Sequence, residues 1–194
     1  DDFMLIIDTY GQDIGNKIIQ KISMRLKKAI DKEETVSYWG GDKFNLILKS
    51  DTLEGLDERI ESLTNVIHRT INIDGYEFEI NSSVGVSIFP HDNTNLNRLI
   101  RDSEIAMNYV KNNGKNDYKF YKHSIKQHLM DEFGIEISLR KAISDEQWEI
   151  YYQPKFNSSN SIYGFEALIR WKHPERGIIS PLDFIPIAEK SNQI

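Results

Sequence analysis

The stretch YWGGDKFNLIL, residues 38–48, places Gly40 and Gly41 between two runs of strand-forming residues. TVSYW (35–39) and DKFNLILK (42–49) each read as a strand. A two-glycine link between such runs predicts a tight hairpin, because glycine reaches the positive φ that hairpin turns need. At its tip stand Asp42, whose carboxylate suits a metal bound to phosphates, and Lys43, whose ammonium does not. Two readings remain open at this point: a plain turn, or a tip whose missing side chains let a nucleotide approach the backbone.

Outward from the hairpin the pattern turns helical. Ile18, Ile19, Ile22, Leu26 and Ile30 recur at helical spacing with Lys and Arg between them, so residues 14–30 form an amphipathic helix. A shorter apolar segment, 3–7, precedes it. Leu56, Ile60, Leu63, Ile67 and Ile71 make a second stripe, predicting a helix over 53–71. YEFEINSSVGVSIF (76–89) alternates like a strand, bent at its two serines. A third helix, 96–113, carries Leu99, Ile105, Ala106 and Val110 and stops at Gly114, and DYKFY (117–121) reads as a short strand. Helix, hairpin, helix, strand, helix, strand predicts one sheet with helices packed on it, an α/β sandwich.

A long connecting helix is predicted over 122–142, and the pattern then changes. WEIYYQP and IYGFEALIRW are two strands joined by the polar loop NSSNS. HPERG is a turn, and SPLDFIPIAEK opens a helix with Ser180 as N-cap and Pro181 at the first helical position. Alternation along IYGFEALIRW puts Phe165, Ala167, Ile169 and Trp171 on one face, apolar enough to lie under helices with Phe165 and Trp171 in the core. Glu166, Leu168 and Arg170 occupy the other. About 13 Å of strand separates the acid from the guanidinium, so each needs its own partner. A divalent cation would suit Glu166 and a phosphate Arg170; structural partners, or plain solvent, would serve as well.

Composition narrows the chemistry. The 194 residues are 39% hydrophobic and 28% charged, which suits an ordered chain of one domain plus part of another. A net charge of −6 disfavours a nucleic-acid backbone as partner. No cysteine is present, so any metal must be held by carboxylate, amide or imidazole, which favours a hard cation such as Mg²⁺. No apolar run reaches the roughly 20 residues needed to span a bilayer, and neither a signal peptide nor an initiating Met opens the chain, so we expect a cytoplasmic piece of a longer protein.

Three segments carry a resemblance: DTYGQDIGN (8–16), YWGGDKF (38–44) and SEIAMNYVKNNGKNDY (103–118). Together they resemble the GGDEF domain, the diguanylate cyclase family that joins two GTP molecules into cyclic di-GMP. The resemblance covers residues 1–121 and implies a cyclase-like, ferredoxin-related α/β sandwich. It implies nucleotide binding by Gly40, Gly41, Asp42, Lys111 and Lys115, the two lysines matching bases that contact the triphosphate. Read bare, those lysines are favourable charge at a helix C-terminus. The chain departs from the family where it matters: Lys43 replaces the metal-binding Glu, and the other metal-binding Asp would lie just before Asp1. Ile7 replaces the guanine-reading Asn, and Asn16 the matching Asp. The product-inhibition motif, Arg-x-x-Asp, falls on DKEE (31–34) and is missing. These departures imply a degenerate domain without cyclase activity.

EALIRW, preceded by YYQP (151–154) and followed by HPERGIISPLDFIPIAEK, looks like the opening of the EAL domain, the family that hydrolyses cyclic di-GMP to linear pGpG. By resemblance Glu166 is a catalytic metal ligand, Gln153, Leu168 and Arg170 bind the dinucleotide, and the cofactor is Mg²⁺ or Mn²⁺. The fold implied is the start of an EAL-type (β/α) barrel. The expected organisation is a degenerate GGDEF domain over 1–121, a connecting helix over 122–145 and an incomplete EAL domain over 146–194, in a cyclic di-GMP signalling protein whose cyclase-like domain regulates a phosphodiesterase. GTP at the degenerate site and a homodimer are further partners the resemblance implies. The alternative is a receptor or scaffold that binds cyclic di-GMP and turns nothing over.

Overall fold

A computed structural model describes all residues, Asp1 to Ile194, and the chain divides into two compact units, Asp1–Ile125 and Lys126–Ile194. The first unit runs α1 (Phe3–Tyr10), α2 (Gln12–Ala29), β1 (Thr35–Gly40), β2 (Lys43–Ile47), α3 (Leu53–His68), β3 (Ile71–Ile73), β4 (Tyr76–Phe78), β5 (Val84–Val86), α4 (Leu96–Asn112) and β6 (Tyr118–Phe120). Ile18, Ile22 and Leu26 of α2 are buried with Leu63 of α3, with Ile71 and Ile73 of β3, and with Phe78, while the lysines of α2 stay outside. Burial of this apolar stripe, at about 25 cal/mol per Å², is what holds the helices on the strands.

Three expectations need correction. The α3 helix ends at His68, not at 71. Ile71 and Ile73 alternate with Asn72 and pair with Phe78 and Tyr76 across an Asp74-Gly75 turn in which both residues have positive φ, 52° and 88°. Asp-Gly is a strong two-residue hairpin signal, and the turn withdraws Ile71 from the helix. The Arg25 guanidinium closes the vacated end of α3 by donating to the Arg69 and Thr70 carbonyls at 2.5 and 2.7 Å. The alternating segment 76–89 is likewise not one bent strand. It splits into β4 and β5, with different partners. Nor is there one sheet in this unit: β1–β2 and β3–β4 are antiparallel pairs and β5–β6 a parallel pair, and no strand bonds two of these ladders together.

Gly85 of β5 sets the position of α4. A Cβ on Gly85 would fall onto the Ser103 carbonyl oxygen and the Met107 amide nitrogen, backbone atoms that cannot step aside. Gly85→Ala must therefore push α4 off the strand. The expected cost is about 1–3 kcal/mol, read as a lower midpoint in urea unfolding. An unchanged midpoint would show that the helix is not seated on this residue.

Glu34, at the end of the DKEE segment, is an anchor. Its buried carboxylate accepts from the Arg59 Nη2 at 2.5 Å, the Arg59 Nε at 3.3 Å and the Asp31 amide at 2.9 Å, and Arg59 also donates to the Ala29 carbonyl at 2.7 Å. The Arg59 hydrogen bond holds the Glu34 carboxyl below its ordinary value of 4.5. A depressed acid stabilises the fold fully above its unfolded pKa and loses that contribution as pH falls through the folded one. Glu34→Gln should accordingly cost about 2 kcal/mol in chemical denaturation at pH 7, and the gap from wild type should narrow below about pH 4.5.

The second unit begins within α5 (His123–Ser144), followed by β7 (Trp148–Phe156), β8 (Ile162–His173), β9 (Gly177–Ile179) and α6 (Pro181–Lys190). The Ser180 hydroxyl accepts from the Leu182 amide at 3.3 Å and starts α6. The Asn157 side chain accepts from the amides of Ser159 and Ser161, shaping the loop between β7 and β8. Ile135, Leu139 and Ala142 of α5 and Phe184, Ile187 and Ala188 of α6 bury Trp171 completely. Phe165, expected beside Trp171 in the core, is 62% exposed. It lies on the same face of β8, but α5 and α6 cover only the end that holds Trp171, and Ile150, Tyr152 and Phe165 extend past them. No helix of the chain is long and apolar enough to cross a membrane.

Candidate functional site

In the first unit the hairpin tip is built by backbone conformation. Gly40 and Gly41 have φ of 114° and 59°, and a Cβ at either would meet nothing within 4 Å, so the tip is open on its outer side. Tyr38 donates its hydroxyl to the Gly41 carbonyl at 3.0 Å, bracing the turn. The end of α4 meets this tip: Lys111 Nζ lies 3.6 Å from Asp42, and Lys43 Nζ lies 3.7 Å from Glu104. Lys115 follows Gly114 in a left-handed turn, with φ of 61° and with its amide bonded to the Val110 carbonyl, and its ammonium donates to Asp2 at 2.7 Å. That contact holds the Asp2 carboxyl below its ordinary range.

The structure thus brings Gly40, Gly41, Asp42 and Lys111 together, with Lys115 on the neighbouring turn. Beside them is a cavity of about 360 Å³ lined by Phe3, Ile7, Asn16, Tyr38, Gly41 and Asp42. Ile7 packs toward Gly15 of α2 and joins the apolar core, and Asn16 accepts from the Gln12 side chain at 3.2 Å. The cavity wall at Ile7 is apolar, so it offers a guanine edge no hydrogen bond.

In the second unit β7 and β8 pair directly, setting Gln153 opposite Glu166, Tyr151 opposite Leu168 and Glu149 opposite Arg170. All six share one face of the hairpin. Glu166 is exposed and its carboxylate meets Lys155 Nζ at 3.1 Å. Arg170 is half-buried, lies over the Tyr151 ring at 5.5 Å, and donates to the Ile169 carbonyl at 2.8 Å. The acid and the guanidinium are therefore separately partnered. Lys155 and Tyr151 were not singled out from the sequence, although both lie two residues from Gln153, on its face of the strand. Glu104 also escaped notice, because its tie to Lys43 is made only by the fold.

Neither place furnishes a metal site by itself. Hard divalent cations take six or more oxygen ligands, or a few carboxylates with water. Nowhere do three His, Asp or Glu side chains converge. At the tip a divalent ion about 4 Å from Lys43 would be repelled by roughly 8 kcal/mol at an effective dielectric near 20. On the β7–β8 face Glu166 already faces an ammonium, and the other acid of that face, Glu149, lies four residues along the ladder and pairs with Lys172.

Comparison with known proteins gives the arrangement its context. Residues 1–117 match the family model described as diguanylate cyclase, GGDEF domain, and residues 136–194 match that of the EAL domain. The bifunctional diguanylate cyclase/cyclic di-GMP phosphodiesterase MucR of Pseudomonas aeruginosa is 30% identical over the whole chain, and the cyclic di-GMP phosphodiesterase PdeR of Escherichia coli is 28% identical. The chain spans 28% and 29% of the lengths of these two relatives. Among solved structures, the GGDEF domain of TpbB (YfiN) from Pseudomonas aeruginosa superposes with a TM-score of 0.64 at 20% identity, covering 67% of this chain and 77% of that one. An EAL/GGDEF domain protein from M. capsulatus superposes with a TM-score of 0.58 at 25% identity, covering 63% of this chain and 79% of that one. The α/β fold of the first unit is the cyclase-like fold of these neighbours. On these grounds the chain belongs to the GGDEF domain family and continues into the start of an EAL domain.

Proposed function

We propose that this chain is part of a tandem GGDEF–EAL protein of cyclic di-GMP signalling. Its EAL domain, with Mg²⁺ or Mn²⁺, hydrolyses cyclic di-GMP to pGpG, and its GGDEF domain makes no cyclic di-GMP but regulates through a nucleotide such as GTP. The observation that carries the hydrolase reading is the register of β7 on β8, which places Gln153 and Glu166 opposite each other and Leu168 and Arg170 on the same face. In this reading Glu166 contributes one oxygen ligand to the metal, Arg170 meets a phosphate, and Gln153 and Leu168 hold the dinucleotide. The names of MucR, which joins cyclase and cyclic di-GMP phosphodiesterase, and of PdeR, a cyclic di-GMP phosphodiesterase, support it. Lys43 beside Glu104 and Ile7 in the cavity wall support a GGDEF domain that does not synthesise. We take 1–121 as the regulatory domain, 122–145 as the connecting helix and 146–194 as the opening of the hydrolase.

One contact favours a second reading. The Lys155–Glu166 ion pair occupies the carboxylate that a metal would need, which suits a protein that binds cyclic di-GMP without cutting it. Chromatography of cyclic di-GMP incubated with the full-length protein, in Mg²⁺, Mn²⁺ and EDTA, separates the two. Metal-dependent release of pGpG is expected, and dinucleotide recovered bound but intact in all three would establish the receptor.

A further inference from the structure

The departures from the family at the hairpin tip also change the charge there. Two ammonium groups stand at the tip, those of Lys43 and Lys111, with that of Lys115 on the neighbouring turn, where it bonds Asp2 at 2.7 Å, and all three keep contact with solvent. The Lys43 and Lys111 pairs with Glu104 and Asp42, at 3.7 and 3.6 Å, are longer than hydrogen bonds, and partly exposed pairs of this kind are weak. A polyphosphate, with more charge and more acceptor oxygens than a carboxylate, would displace them. Lys43 meanwhile places fixed positive charge where a metal-ligating acid would have drawn a divalent ion. Gly40 and Gly41 leave open space beside that charge, and the cavity of about 360 Å³ opens next to Gly41 and Asp42, within the range of small-molecule sites.

We propose that this tip binds the phosphate chain of a nucleoside triphosphate without a divalent cation, the Lys43 ammonium supplying the charge that Mg²⁺ would otherwise bring. The proposal rests on the reading of the GGDEF domain as a nucleotide-binding regulator and adds how the nucleotide is held. Lys111 and Lys115 take the phosphate oxygens alongside Lys43, and Ile7 turns an apolar side chain to the base.

Calorimetric titration of GTP into the full chain, in excess EDTA and in saturating Mg²⁺, tests it. Dissociation constants within about threefold of each other are expected, with Lys43→Glu weakening binding at least about tenfold in EDTA and recovering part of it with Mg²⁺. Lys111→Gln should weaken both conditions alike, and circular dichroism of each variant checks that the hairpin and α4 are intact. Tenfold or greater loss for the wild type in EDTA, or a folded Lys43→Glu variant that binds normally in EDTA, would overturn metal independence while leaving the regulatory reading in place. Absence of GTP binding in both buffers would overturn both.

Discussion

Alanine at position 166 is expected to reduce pGpG release by the full-length protein at least about a thousandfold, a loss worth roughly 4 kcal/mol of transition-state stabilisation. The proposal gives the Glu166 carboxylate a direct part in holding the metal, and no other acid on its face of the β7–β8 hairpin sits opposite Gln153. The substitution should leave the fold alone. Position 166 is exposed, its ladder bonds are made by backbone, and the pair it forms with the half-exposed Lys155 contributes no more than about 1 kcal/mol. Glu166→Gln keeps the shape and removes the charge, so it should fail nearly as badly. Activity within tenfold of wild type in either variant would assign the acid to the surface rather than to the reaction.

Trp171→Ala carries the largest expected effect on stability, about 3–5 kcal/mol, lost from the second unit. The ring has no exposed surface, lies 5.5 Å from the Trp148 ring and 5.6 Å from the Phe184 ring, and donates its Nε1–H to the Gln147 side chain at 2.9 Å. Removing it opens a cavity among α5, α6 and β8 and strands the Gln147 acceptor. Small units have only a few kcal/mol to lose, so the unit should unfold near room temperature. Thermal melts followed by near-ultraviolet circular dichroism would show this, with Trp171→Phe falling between the variant and the wild type. A melting curve for Trp171→Ala that overlays the wild type would place the core elsewhere.

Much of this fold is legible in the chain. The stripe Ile18, Ile22, Leu26 predicts α2 and its buried face, Gly40-Gly41 predicts the hairpin, and Ser180-Pro181 predicts the start of α6. Where local signals compete, the reading slips. Ile71 continues the apolar period of α3, but Asp74-Gly75 recruits it into β3, and a turn signal outweighs one more helical match. Alternation along β8 correctly groups Phe165 with Trp171, yet period alone does not say how far along that face the helices reach. The site residues follow the same division. Glu166, Leu168 and Arg170 share a face by strand geometry, which sequence spacing contains, whereas Gln153 joins them only through the register of β7 on β8. The acids that meet these lysines, Glu104 for Lys43 and Asp2 for Lys115, lie far off in the chain and come together with them only after folding.

The placement of the three tryptophans makes the two units optically distinct. Trp39, 59% exposed beside Gly40, should emit at long wavelength and be quenched by iodide. Trp171, fully buried, belongs to the blue-shifted, iodide-resistant fraction, and the partly buried Trp148 lies close enough for their transitions to couple. The long-wavelength, iodide-quenchable part of the emission would then report mainly on the glycine tip, and the remainder mainly on the second unit.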